Sequence, residues 1–169
     1  MQSDLSDGVR SLADKGVIDA SRVCIVGSGY GGYAALAGAA LGGDVYRCAV
    51  SAGGMSDISR ATAFERGRLS KLYWLRFMGV QTTQDPKLNE LSPIRHIDKI
   101  KIPILLFHGK DDDEVDYSQS QAMYDALIKA GKPVDLVTLY HEGHWPSMAA
   151  TRLEMLQATM AFLQKNNPP

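Results

Sequence analysis

The 169-residue chain is short of the features that would place it outside the ordinary globular class. Its two cysteines are too few for a disulfide scaffold. No apolar run approaches the roughly 20 residues that span a bilayer. Neither charge is in excess: 18 Lys and Arg against 19 Asp and Glu leave a net charge of −1, which gives no electrostatic case for nucleic acid or an anionic membrane as partner. The opening stretch, Met1 to Asp7, is polar and acidic, so no leader or anchor is legible and the cytoplasm is the default expectation. There is no internal repeat, low-complexity tract or interdomain linker. The acidic run Asp111 to Glu114 lacks the spacing of a calcium loop, so no metal is expected. Cys24 and Cys48 both fall in expected strands, where buried, reduced thiols are favoured over a disulfide.

What is present describes one domain over residues 1–169, long enough for a real core. Helical patterns at about 4–16, 30–41, 118–130 and 147–164 alternate with strand patterns at about 22–27, 47–52, 103–108 and 134–140. That alternation predicts an α/β fold, a mostly parallel sheet with helices on both faces. The third strand, Pro103 to His108, is an unbroken apolar run, as expected of a strand buried on both sides. An insertion at about 55–102 separates the second and third strands, and its Phe64 to Met78 portion predicts an amphipathic helix.

The first strand runs into Gly27-Ser28-Gly29-Tyr30-Gly31-Gly32 and then a helix. A strand, a tight glycine turn and a helix form the elbow on which an α/β-hydrolase displays its nucleophile, as G-x-S-x-G. With Gly27 and Gly31 as the outer glycines, the nucleophile position is 29, and it is occupied by glycine. Ser28, one residue earlier, does not substitute, because the residue before the apex projects elsewhere and a shift of even about 1 Å can cost roughly 100-fold. Gly27, Gly29 and Gly32 also satisfy G-x-G-x-x-G, a dinucleotide-binding pattern, but the next strand ends without the acidic residue that pattern wants.

Two further loops fall in the chain order nucleophile, acid, histidine. The third strand ends in His108-Gly109-Lys110-Asp111-Asp112-Asp113-Glu114-Val115, and the fourth in Tyr140-His141-Glu142-Gly143-His144-Trp145. Together with Gly27 to Leu36 and Gln119-Ser120, these stretches make the chain resemble the prolyl oligopeptidase family of serine peptidases, from about residue 4 to 164. The resemblance is to the C-terminal part of that family's catalytic domain. It implies peptide or ester hydrolysis through an acyl-enzyme, without a cofactor. Asp112 matches the triad aspartate, His144 the triad histidine, and Gly29 stands where the family has serine. The backbone N–H of Tyr30 is the remaining oxyanion donor. The stretch with Tyr73, Trp74 and Phe77 resembles the segment that supplies aromatic walls to the family's specificity pocket, with Tyr73 and Phe77 four apart and Val115 joining them, although an aromatic stripe at helical spacing is also a common core pattern.

Relative to the family, the resemblance also implies that the early strands and the β-propeller are missing. The first strand then becomes an open edge, and pairing of two copies is expected there. Three readings follow. The first is a serine peptidase domain inactivated by Gly29, the second a binding or dimerisation module, and the third a dinucleotide binder. His108 is expected to satisfy local backbone groups, His141 is a weaker candidate base than His144, and Asp57 and His96 have no assigned role.

Overall fold

The computed structural model describes residues 2–64 and 68–168. Four strands, β1 (Cys24–Ser28), β2 (Cys48–Ala52), β3 (Ile104–Gly109) and β4 (Val134–Leu139), form one sheet in the order β1-β2-β3-β4, all parallel. The helices are α1 (Gln2–Asp14), α2 (Tyr30–Leu41), α3 (Ile58–Phe64), α4 (Arg68–Phe77), α5 (Lys87–Glu90), α6 (Ser118–Lys129) and α7 (Ala149–Asn166). Short 3-10 turns at Ala20–Arg22 and Pro93–Lys99, with α5, were not legible in the sequence. The expected helix over Phe64 to Met78 falls partly on residues 65–67, outside the described residues, and α4 supplies its second part.

Alternation along the inner strands builds two cores, because successive side chains leave opposite faces of a sheet. Ala49, Ile104 and Leu106 meet Leu36, Ala39 and Ala40 of α2 and Met123 and Leu127 of α6 on one face. Cys48, Val50, Leu105 and Phe107 meet Phe162 of α7 on the other. Every residue of β3 is buried, as its apolar run predicts. Helix α2 is apolar nearly all round, and its small side chains let it lie close against β1 and β2. A third cluster, Ile58, Leu75, Val80 and Leu88, gives the insertion its own packing.

The reading of the cysteines as free thiols is corrected here. Cys24 and Cys48 are directly opposite in the β1–β2 register, 4.7 Å apart at Cα, and form a disulfide. Two strands 24 residues apart in sequence give no sign of their register until they pair, which is why the bond was not legible. β1 has β2 on one side and no strand on its other side among the described residues, and its Val26 is 54% exposed.

Candidate active site

The three marked turns all leave the carboxyl ends of their strands, which is where a doubly covered parallel sheet gathers its functional loops. β1 ends at Ser28, and the chain turns sharply at Gly29 (φ 57°, ψ −120°) to start α2 at Tyr30. The Gly29 N–H donates to Ala52 O at 2.8 Å, fixing the apex to the end of β2. Gly27 must be glycine for a local reason: a Cβ on it would lie inside contact distance of the Gly31 backbone. Gly29 needs glycine least for space and most for its positive φ, which a side chain adopts only under strain.

The acid loop after β3 is held from several sides. Asp112 Oδ1 accepts the N–H groups of Glu114 (2.9 Å) and Val115 (2.8 Å), closing the loop on itself. Its Oδ2 accepts from His144 Nδ1 at 2.8 Å and lies 3.3 Å from His108 Nε2. Burial pushes the Asp112 carboxyl up, but hydrogen bonds from His108, the Val115 N–H and His144 outweigh it, and the group stays below the ordinary carboxylate range.

His108 does what was expected of it and more. Val115 O lies 2.8 Å from Nε2, and a carbonyl only accepts, so Nε2 carries the proton and Nδ1 accepts from the Ser120 hydroxyl at 2.7 Å. Gln119 is equally tied in. Its Oε1 accepts from the N–H groups of Ser56 (2.9 Å) and Asp57 (2.8 Å), and its Nε2 donates to Asp57 O. The Gln119-Ser120 pair thus clamps the start of α6 to both the insertion and the acid loop. Asp57 accepts the Arg60 N–H and pairs with Arg95 at 3.4 Å, so its role is to cap α3.

His144 is carried by the loop between β4 and α7. Glu142, buried beneath that loop, accepts from Ser147 N–H (2.7 Å), Ser147 Oγ (3.1 Å) and Met148 N–H (3.0 Å). These bonds, led by that from the Ser147 backbone, lower its pKa from 4.5 to about 2. Sequence reasoning passed over Glu142 as part of a motif. A glutamate seven residues before a helix was the available signal, because a carboxylate can receive the free N–H groups at a helix start. His141 is exposed with φ 62° and lies away from the other groups, while His96 sits on Glu90 O at 3.0 Å.

The His144 side chain is only 7% exposed, and its Nδ1 donates to Asp112, which leaves the Nε2 lone pair free. Nε2 faces the elbow: a Cβ built on Gly29 would lie 3.1 Å from it. Ser28 is exposed and borders a small pocket together with Asp112, Leu139, His144 and Pro146. The backbone thus brings positions 29, 112 and 144 together, and it is the Cβ direction of position 29 that meets His144 Nε2.

A cavity of about 740 Å³ opens beside this cluster, lined among others by Tyr30, Met55, Trp74, Phe77, Val115 and His144. Phe77 and Val115, two of the residues named for a pocket, both line this cavity. Tyr73 does not line it: exposed, it stacks on Phe77 with centroids 6.2 Å apart, and Trp74 takes the wall position. On a helix both 73 with 77 and 74 with 77 share a face, so packing rather than spacing puts Trp74 on the cavity wall. Among the described residues the strand order runs from β1 to β4 without a reversal.

Comparison with known proteins places the fold and the family. The chain is 33% identical over 155 residues to dipeptidyl aminopeptidase BIII of Pseudoxanthomonas mexicana, covering 85% of this chain and 22% of that protein. It is 28% identical over 144 residues to dipeptidyl peptidase 4 of Felis catus, covering 83% and 18%. The structure superposes on a puromycin-hydrolyzing peptidase of Mycobacterium tuberculosis with a TM-score of 0.89 at 29% identity, over 95% of this chain and 24% of that one. An acylaminoacyl peptidase bound to a chloromethyl ketone shares the fold, with a TM-score of 0.88 at 23% identity, over 99% of this chain and 27% of that one. The chain thus spans about a quarter of the length of these relatives. The sequence pattern of the prolyl oligopeptidase family matches residues 1–167, and the chain belongs to that family.

Proposed function

We propose that this chain is the triad-bearing part of a serine peptidase whose nucleophile position is occupied by glycine, so that it binds acyl substrates without forming an acyl-enzyme. In this reading His144 is the general base, Asp112 holds its tautomer and supports the imidazolium, and the Tyr30 N–H faces the oxyanion. One observation carries it above the others. The elbow at Gly29 keeps its φ of 57° and directs a Cβ position at His144 Nε2, while His144 is bonded to Asp112. This geometry supports a triad that lacks only its hydroxyl.

The cavity supports a peptide or ester as ligand. Its walls are aromatic and aliphatic, with Phe77, Trp74, Met55 and Met78, and it opens onto His144. Relatives described as dipeptidyl peptidases and acylaminoacyl peptidases act on peptides, and we extend that substrate class to this pocket. The test is labelling by a fluorophosphonate of the native chain and of Gly29→Ser.

We also propose that two copies pair through β1. Among the described residues no strand pairs with its outer edge, and its Val26 is exposed, features that other strands readily join. Sedimentation velocity at micromolar concentration should show a dimer that Val26→Lys dissociates. A monomer at that concentration contradicts the pairing.

A further inference from the structure

We infer that the native chain retains a second, slower chemistry at this site: one-step hydrolysis of activated esters by water, with His144 as general base. The inference rests on the triad reading above and adds a reaction that needs no serine. Its observation is a buried base without a protein partner. His144 is 7% exposed, and among the described residues no group lies within hydrogen-bond distance of Nε2; the nearest charge, the Glu114 carboxylate, is 3.9 Å away. Its Nδ1 donates to Asp112, so the Nε2 lone pair is directed at Gly29 and into the cavity. Gly29 carries no side chain, and the cavity that both Gly29 and His144 line admits a water beside Nε2.

The step balances without any further reagent. Nε2 takes a proton from water while the water oxygen bonds to the ester carbonyl carbon, and the carbonyl electron pair moves onto oxygen beside the Tyr30 N–H. Asp112 supports the imidazolium that forms. The intermediate then collapses, the acyl–oxygen bond breaks, and the leaving alcohol recovers the proton from Nε2. Acid and alcohol are the products. A positioned general base contributes roughly 10²–10⁴-fold, so a detectable rate is expected. The walls set the substrate class: Phe77, Trp74, Met55 and Met78 suit an apolar acyl group. A good leaving group is required because no covalent intermediate divides the barrier, so aryl esters qualify and peptides do not.

The experiment follows p-nitrophenyl butyrate hydrolysis by the native chain, His144→Gln and Asp112→Asn, with intact mass read during turnover. Native hydrolysis should exceed that of His144→Gln by roughly 100-fold. Asp112→Asn should fall in the same direction, and the native rate should drop in D2O. His141 and His96 remain in both variants, so their surface reactivity is part of the baseline. Equal rates in native and His144→Gln overturn the inference, as does a burst or a butyryl adduct, which makes His144 the attacking atom. Fluorophosphonate labelling of Gly29→Ser keeps the two readings apart. A labelled serine with equal ester rates overturns the water route and leaves the triad reading standing, whereas an unlabelled serine with equal ester rates overturns both.

Discussion

His144 Nε2 lies 3.1 Å from the point that a Cβ on Gly29 would occupy, which is tighter than most real Cβ contacts. The base has settled against the bare apex, and a serine there requires the ring to yield by a few tenths of an ångström. Gly29 has φ 57° and ψ −120°, angles that glycine adopts freely and serine only under strain.

Restoring the hydroxyl should therefore cost stability. Gly29→Ser is expected to lose roughly 1–3 kcal/mol, from backbone strain at a positive φ together with the crowded Nε2 contact. For a chain of this size that is a fall in Tm of roughly 2–12 °C by calorimetry. An unchanged or higher Tm contradicts the strained elbow.

Glu142 makes the histidine loop sensitive to acid. Its folded pKa of about 2 lies below the ordinary 4.5, so the ionised carboxylate favours the folded state. That stabilisation is complete above about pH 4.5 and is lost as the pH falls toward 2. Urea unfolding across this window should show a declining midpoint. Glu142→Gln should be less stable at pH 7 and show a shallower decline, because no proton is then taken up at this position. Parallel pH profiles for the two proteins contradict this role.

The Cys24–Cys48 bond ties the strand carrying the elbow to its neighbour across a 24-residue separation. In the chain-entropy account a loop of that length gives roughly 3 kcal/mol. Reduction, or Cys24→Ser with Cys48→Ser, should lower Tm by roughly 6–12 °C. Intact mass before and after alkylation reads the bond directly, and alkylation of both thiols without reductant contradicts it. Bonds of this kind persist in oxidising compartments, so the disulfide does not favour the cytoplasm over them.

Gln119 is the hinge pin between α6 and the insertion. Gln119→Leu leaves the Ser56 and Asp57 N–H groups without their acceptor, at roughly 1–3 kcal/mol for each if they stay buried. Denaturant titration should detect the loss, and Gln119→Glu, which keeps an acceptor, should recover part of it. Equal losses in the two variants contradict the bonding described.

Much of the fold was legible because its signals are local. The apolar run of β3 and the small-residue helix after the glycine turn need no partner to be read, and α2 has the limits its pattern predicts. The positions of Gly29, Asp112 and His144 were legible for the same reason, each standing just past a strand end. What escaped depends on pairing across the chain. The register that joins Cys24 to Cys48, the turn of α4 that prefers Trp74 to Tyr73, and the carboxylate of Glu142 under the start of α7 are set by neighbours distant in sequence. The pocket aromatics show the limit most clearly, since both 73 and 74 fit an amphipathic pattern and only packing chooses between them.

Intact mass after fluorophosphonate treatment of the native chain and Gly29→Ser tests the central claim most directly. The account predicts a single phosphonyl adduct on Gly29→Ser, lost again in Gly29→Ser with His144→Gln, and none on the native chain. An adduct on the native chain, or none on Gly29→Ser, would contradict a triad that lacks only its hydroxyl.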